Sequence, residues 1–306
     1  MTEQVAAERG RRVENHGGKG AGMKTAVIGG GAWGTTLANL LAGKGYPTRL
    51  WVREAALAEE IRDRRENSLF LPEISLSPEL ECGSDLEYVC RDAALYLCVV
   101  PCQYLRSILR QAREFMPAKP LLICASKGIE LEHLKLMSEV VQEELEALQP
   151  EFGVISGPFF AREVRQGHPT AVALGCADQT RGRRLQDVLS IENFRVYFTP
   201  DSRGVELGGA LKNVMAIAVG IADGLGFGSN TRAAIITRGL AEISKLGCRL
   251  GARERTFMGL SGLGDLVLTC TGDLSRNRQV GLRIGRGESL DQVDRKSTRL
   301  NSSHRL

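Results

Sequence analysis

The sequence predicts an α/β fold: a doubly wound parallel sheet over residues 23–200, followed by an all-helical domain over residues 201–293. Three observations carry this. Short apolar runs alternate with amphipathic helical patterns from Lys24 to Pro200, the pattern of successive βαβ units. The first unit contains a glycine turn with G-x-G-x-x-G spacing. After Pro200 the strand-like runs stop, and long helical periods separated by glycine turns take over.

Composition bounds what such a chain does. Of 306 residues, 43% are apolar and 25% charged, which is the balance of a chain that buries a core. The net charge of +4 comes without a clustered basic run. Nucleic acid is therefore not indicated as a partner, and small anionic ligands are compatible. Eight cysteines include no C-x-x-C pair, and several lie in apolar runs such as LYLCVV and LLICAS. They read as reduced core thiols of a cytoplasmic protein, with no metal site. Residues 1–22 are polar and glycine-rich and read as a disordered leader, with Met23 as a candidate start. Residues 294–306 have no amphipathic period and read as an unstructured tail, a candidate non-native segment.

The first unit, KTAVIGGGAWGTTLANLLAGKGY, is a strand, a turn and a helix. Gly29 permits the tight turn, Gly31 lets backbone approach a pyrophosphate, and Gly34 lets helix and strand pack closely. The helix N-terminus offers free N–H groups to phosphates. This is the Rossmann dinucleotide-binding fingerprint in its required context, which raises it above ordinary turn glycines. A second strand, Thr48 to Val52, ends in Arg53 where an acid normally holds the ribose hydroxyls of NAD. An arginine there suits a 2′-phosphate, so NADP is favoured over NAD. Glu54 adjoins it, and the plain alternative is a solvated arginine.

Strands are expected at 93–101 and 120–126, each followed by a helical pattern, YLRSILRQAREF and HLKLMSEVVQEELEAL. Ligands of such sheets bind beyond the carboxyl ends of the strands. Lys127, just before Gly128, stands at one such end; it reaches a polar substrate or is a surface lysine. A fifth strand, FGVIS, runs into SGPFFAREV, where backbone N–H groups at Gly157 and its neighbours line a site. The runs TAVALGC and NFRVYFT extend the sheet.

The helical half opens with 203–226, RGVELGGALKNVMAIAVGIADGLG, whose middle holds one cation, Lys212. Its helical neighbours are glycines and aliphatic residues. Burial lowers a lysine pKa and makes the amine a usable proton acceptor; the alternatives are snorkelling or a pair with Glu206. Glu206, Lys212, Asn213, Asp223 and several glycines argue against a membrane span. The next helix, TRAAIITRGLAEISKLG, has an apolar face suited to the core or to a second copy of the chain. Asp265 starts an apolar helix and suits either N-capping or the alignment of a neighbouring lysine. Ser275, Arg276, Asn277 and Arg278 stand at another helix start, either as a phosphate cradle or as a solvated basic end.

The fingerprint, ASKG, SGP, LGGALKNV, GLGDLVLTCT and SRNR occur in that order over residues 23–293. In them the chain resembles the bacterial type of NAD(P)-dependent glycerol-3-phosphate dehydrogenase. The resemblance implies reversible hydride transfer between NAD(P)H and dihydroxyacetone phosphate, giving sn-glycerol 3-phosphate for phospholipid synthesis. It implies that Lys212 transfers the proton; the histidines, at 16, 133, 168 and 304, include no convincing acid–base candidate. It assigns Lys127 to both substrate and cofactor, and Asp265 is expected to orient Lys212. Gly157, Phe159, Lys212, Asp265, Ser275, Arg276 and Asn277 fall on substrate-binding positions. Ala32, Trp33, Arg53, Ala161 and Arg276 join the three glycines on the cofactor side. Ala32 replaces a usual serine, and Phe159 replaces a usual serine or threonine. The family also continues past Val293 with a Val/Glu segment and further helices, so an apolar surface is expected to lie uncovered. The implied partners are a small phosphorylated substrate and a second copy in a homodimer. The rival readings are a two-domain dehydrogenase of another small hydroxy or keto acid and a catalytically dead nucleotide-binding remnant.

Overall fold

The structure, a computed structural model, describes residues 22–293. The tail at 294–306 and all of the leader but Gly22 lie outside the described residues. Eight strands form one sheet: β1 Thr25–Ile28, β2 Thr48–Trp51, β3 Leu80–Gly83, β4 Leu95–Cys98, β5 Leu121–Cys124, β6 Glu151–Ser156, β7 Thr170–Cys176 and β8 Phe194–Thr199. Their spatial order is β3-β2-β1-β4-β5-β6-β7-β8. The helices between them are α1 Ala32–Gly43, α2 Ala55–Arg64, α3 Leu86–Cys90, α4 Cys102–Ala112, α5 Met137–Glu144, α6 Ala161–Arg165 and α7 Gln179–Leu189.

Strand alternation divides the core into two layers. Val27, Leu50, Leu97 and Ile123 point to one face and meet Leu37 and Leu41 of α1, Ile61 of α2 and Leu185 of α7. Ala26, Ile28, Tyr96, Cys98, Leu122 and Cys124 point to the other and meet Val89 of α3, Leu105 of α4 and Val140 of α5. Strands buried on both faces read as continuous apolar runs, which is why β1, β4 and β5 were legible. All eight cysteines are free; Cys248 is exposed, Cys102 half-buried and the rest buried.

The sheet departs from a wholly parallel one at a single step. β6 pairs antiparallel with β7, and β7 then pairs parallel with β8. The 157–169 connection contains only the five-residue α6, which at about 1.5 Å per residue cannot run back along strands that rise about 3.3 Å per residue over six and seven residues. The edge strand β3 has no counterpart in the expected elements: it is four residues long and exposes Glu81. The helix expected from His133 begins at Met137, because Leu134 adopts φ 54° and Ile129 bridges Leu136.

Among the described residues only helices follow Thr199: α8 Ser202–Gly224, α9 Ser229–Arg249, α10 Glu254–Phe257, α11 Asp265–Thr271 and α12 Arg276–Gly285, with a π turn at Leu260–Gly264 before α11. Asp201 caps α8, its Oδ1 accepting from Gly204 N at 3.0 Å, while its Oδ2 accepts from Thr256 Oγ1 at 2.5 Å and ties α10 to the same point. By length and composition α8 is apolar enough to cross a membrane. Protein covers part of it: Val205 meets Val154 and Ala173 of the sheet, and Leu207, Ala216 and Val219 meet Ile243, Phe257 and Leu266, while Val214 stays exposed. α12 lies backbone to backbone on α8. A Cβ on Gly220 would strike Arg278 O, and one on Gly281 would strike Ile217 O.

Candidate active site

The carboxyl ends of β1, β4, β5 and β6 share one edge of the sheet, and the strand order reverses between β1 and β4, which places a ligand crevice there. Lys127 follows β5, and Ser126 beside it is anchored by donating to Val100 O at 2.5 Å. α8 reaches this edge because Gly209 has no side chain; a Cβ there would come 2.6 Å from Ser156 Oγ.

Three elements then converge on Asp265. Lys212 Nζ on α8 donates to Asp265 Oδ1 at 2.5 Å, and Lys127 Nζ donates to Asp265 Oδ2 at 2.6 Å. Ser156 Oγ stands 3.4 Å from the same Oδ2. Lys212 also donates to Thr269 Oγ1 at 2.7 Å, and Thr269 donates on to Asp265 O at 2.6 Å, which fixes its lone pairs toward the lysine. Asp265 is 1% exposed and Lys212 9%. Lys212 is thus buried as expected, and its partner is Asp265. Glu206, the alternative partner, instead accepts from Ser138 N at 2.8 Å and Ser138 Oγ at 2.7 Å. Asp265 likewise aligns lysines and makes no N-cap.

The fold depresses the proton affinity of Lys127, to a pKa of about 8. Burial is the leading cause; the charge of Lys212 pushes the same way and the Asp265 carboxylate opposes both. Its roof is aromatic. Phe159 stacks on Trp33 with centroids 3.7 Å apart and planes at 20°, and Lys127 Nζ lies 4.4 Å from the Phe159 centroid. Phe159 therefore contributes a dry face where a hydroxyl was expected. Gly157, at φ 154°, contributes its carbonyl, which accepts from Lys127 at 3.3 Å.

The glycine turn fits a dinucleotide. Gly29 adopts φ 128°, and a Cβ on Gly34 would strike Gly29 O. Gly31 caps α1 with no side-chain bond, and nothing lies within 4 Å of where its Cβ would be, so the helix start faces open space. Ala32 and Trp33 begin α1 and Ala161 begins α6. The Trp33 indole N–H is buried without an acceptor among the described residues. Arg53 is exposed at the end of β2 and bonds Glu54 at 2.5 Å through Nη2, so the guanidinium is shared with a carboxylate.

At the start of α12, Ser275 is 5% exposed and its hydroxyl accepts from Arg278 N at 3.3 Å as the N-cap. Arg276 is exposed and Asn277 half-buried, with no side-chain bond among the described residues. Arg278 does not join a cradle: it bonds Asp223 at 2.9 Å and Asp273 at 3.0 Å. Among the described residues no hydrogen bond links this segment to the Lys212 group; α12 is held near it by its packing on α8. The sequence reading missed Thr269, Ser156 and Asn67, whose Nδ2 donates to Gly30 O of the glycine turn at 2.8 Å. Thr269 lies four residues after Asp265 on one helix, a spacing that places both on one face. Asn67 and Ser156 carry no local signal.

Comparison with known proteins agrees with this geometry. The family model described as NAD-dependent glycerol-3-phosphate dehydrogenase N-terminus matches residues 24–182, and its C-terminus counterpart matches residues 201–303. Glycerol-3-phosphate dehydrogenase [NAD(P)+] of Maridesulfovibrio salexigens is 57% identical over 271 residues, spanning 89% of this chain and 82% of the relative. That of Solidesulfovibrio magneticus is 55% identical, spanning 88% and 81%. The crystal structure of glycerol-3-phosphate dehydrogenase from Coxiella burnetii superposes with a TM-score of 0.85 at 39% identity, covering 90% of this chain and 84% of that one.

Proposed function

This chain belongs to the NAD-dependent glycerol-3-phosphate dehydrogenase family, and from that premise we propose that Lys212 exchanges the proton with the substrate oxygen while Asp265 holds it beside Lys127. The activity is that of an NAD(P)-dependent glycerol-3-phosphate dehydrogenase, interconverting dihydroxyacetone phosphate and sn-glycerol 3-phosphate. When bound, NAD(P)H supplies the hydride. The chain supplies the proton and the charge. In reduction the Lys212 ammonium gives a proton to the alkoxide developing at C2, and in oxidation the neutral amine takes it back, a contribution of roughly 10²–10⁴ in rate. Lys127 adds a second positive group toward the same oxygen. Trp33 and Phe159 keep water from the pair. Arg276 and Asn277, at the start of α12, hold the substrate phosphate. Gly29, Gly31, Ala32, Gly34 and Ala161 line the dinucleotide, and Arg53 favours the 2′-phosphate of NADP, tempered by Glu54.

The observation that carries the reading is one buried carboxylate shared by two lysines at the switch-point edge of a dinucleotide sheet. In the same reading residues 23–200 bind nucleotide and residues 201–293 bind substrate. The eight free thiols support a cytoplasmic setting, and exposed Leu246 of α9 and Leu250 just after it favour a homodimer. The test is NAD(P)H oxidation with dihydroxyacetone phosphate and with unphosphorylated dihydroxyacetone. Turnover confined to the phosphorylated substrate is expected. Equal turnover of both would point to another hydroxy or keto substrate, and nucleotide binding with no turnover to a dead remnant.

A further inference from the structure

We propose that Asn67 is a positioning residue for the dinucleotide, locking the Gly30–Gly31 peptide so that its N–H faces the phosphates. This rests on the functional reading above. Asn67 follows α2, is 0% exposed, and uses its whole side chain within the glycine loop and its own turn. Its Nδ2 donates to Gly30 O at 2.8 Å and to Thr35 Oγ1 at 2.8 Å, and its Oδ1 accepts from Phe70 N at 3.1 Å. Thr35 Oγ1 in turn donates to Gly30 O at 3.3 Å. Leu71 N donates to Asn67 O at 2.8 Å, so the segment that carries the amide is itself closed into a turn.

The consequence follows from peptide geometry. Gly30 C=O and Gly31 N–H belong to one planar trans unit, so fixing the carbonyl on Asn67 turns the N–H the opposite way. That N–H has no acceptor among the described residues. A peptide flanked by glycines on both sides is the easiest in the chain to rotate. Without the amide the Gly30–Gly31 plane is free to turn, and the donor most exposed to a pyrophosphate no longer has a fixed direction. Only a carboxamide offers two donors on one nitrogen and an acceptor on the opposite atom; aspartate in the same place would set an oxygen against Gly30 O.

The test titrates NADPH fluorescence against the unsubstituted chain, Asn67→Ala and Leu71→Ala, with thermal melts of each. Leu71 is 3% exposed in the same segment, and truncating its side chain removes packing while keeping the Leu71 N–H that closes the Asn67 turn, so it reports packing loss. Asn67→Ala is expected to raise the NADPH Kd roughly tenfold, the scale of one lost buried hydrogen-bond set, with kcat at saturating nucleotide within about twofold. Leu71→Ala is expected to lower Tm and leave Kd unchanged. A folded Asn67→Ala with unchanged Kd, or an equal rise in Leu71→Ala, overturns the proposal. Should Asn67→Ala fail to fold, Thr35→Val decides the question: it removes the hydroxyl from the same clip, and an unchanged Kd again overturns it. If the unsubstituted chain binds no nucleotide, the functional reading falls and takes this inference with it; an unchanged Kd against a binding parent overturns the Asn67 role alone.

Discussion

Lys127 and Lys212 divide one carboxylate: each ammonium holds a different oxygen of Asp265, at 2.6 and 2.5 Å, although the lysines lie on a strand end and on a helix of the other half of the chain. Two like charges come together in a buried place only because the third group neutralises part of their repulsion. Asp265 is therefore the joint on which the catalytic arrangement closes.

Asp265→Asn keeps the shape and removes the charge. It leaves two buried ammonium groups facing each other and lowers the Lys127 pKa further below about 8, since the carboxylate is what raises it. The expected loss of stability is ~3–5 kcal/mol near neutral pH, as for a broken buried pair. The unfolded chain then binds more protons than the folded one, so stability recovers as pH rises. Denaturant unfolding at several pH values checks this; a pH-independent loss contradicts it.

Phe159→Ser opens the roof over Lys127. Burial, the leading cause of the low pKa, weakens, and the lost ring–cation attraction of about 0.5–1 kcal/mol acts in the other direction and is smaller. The alkaline fall in kcat/KM for ketone reduction, expected near pH 8 in the parent, should move to higher pH. An unmoved limb would assign the titration to another group.

Glu206 carries its own pH signature. Burial raises its pKa above 4.5 despite two bonds from Ser138. A carboxyl with a raised folded pKa binds its proton more tightly in the fold, so its contribution to stability grows as pH falls toward 4.5 and is lost as pH rises through the folded value. Glu206→Gln should flatten that part of the profile relative to the parent. The difference between the two unfolding curves from neutral to acid pH measures it, and parallel curves contradict it.

Gly281→Ala tests the seat of α12. The added methyl strikes Ile217 O, a backbone atom that cannot swing aside, and overpacking of this kind costs about 1–3 kcal/mol. Because α12 begins with Arg276 and Asn277, the KM for dihydroxyacetone phosphate should rise while the NADPH Kd stays constant. Steady-state kinetics with separate nucleotide titration distinguish this from general loss of fold.

What was readable in the chain was what local pattern encodes. The glycine turn, the buried strands and the lone cation of the LGGALKNV helix announce themselves through spacing and burial, and Asp265 and Ser275 through their places at helix starts. The rest depends on which distant elements meet. Nothing near Arg278 shows that Asp223, on another helix, consumes its charge. Nothing in SGPFFAREV shows that α6 turns the sheet antiparallel, and the four residues of β3 are too few for alternation to register. Phe159 was read as the replacement of a usual serine or threonine; only its contact with Trp33 and Lys127 reveals a roof.

The central claim, that the Lys212 amine moves the substrate proton, is tested most directly by Lys212→Ala assayed with dihydroxyacetone phosphate alongside an NADPH titration. The account predicts that kcat falls by roughly 10²–10⁴ while nucleotide binds as in the parent. Turnover within a few-fold of the parent would contradict it.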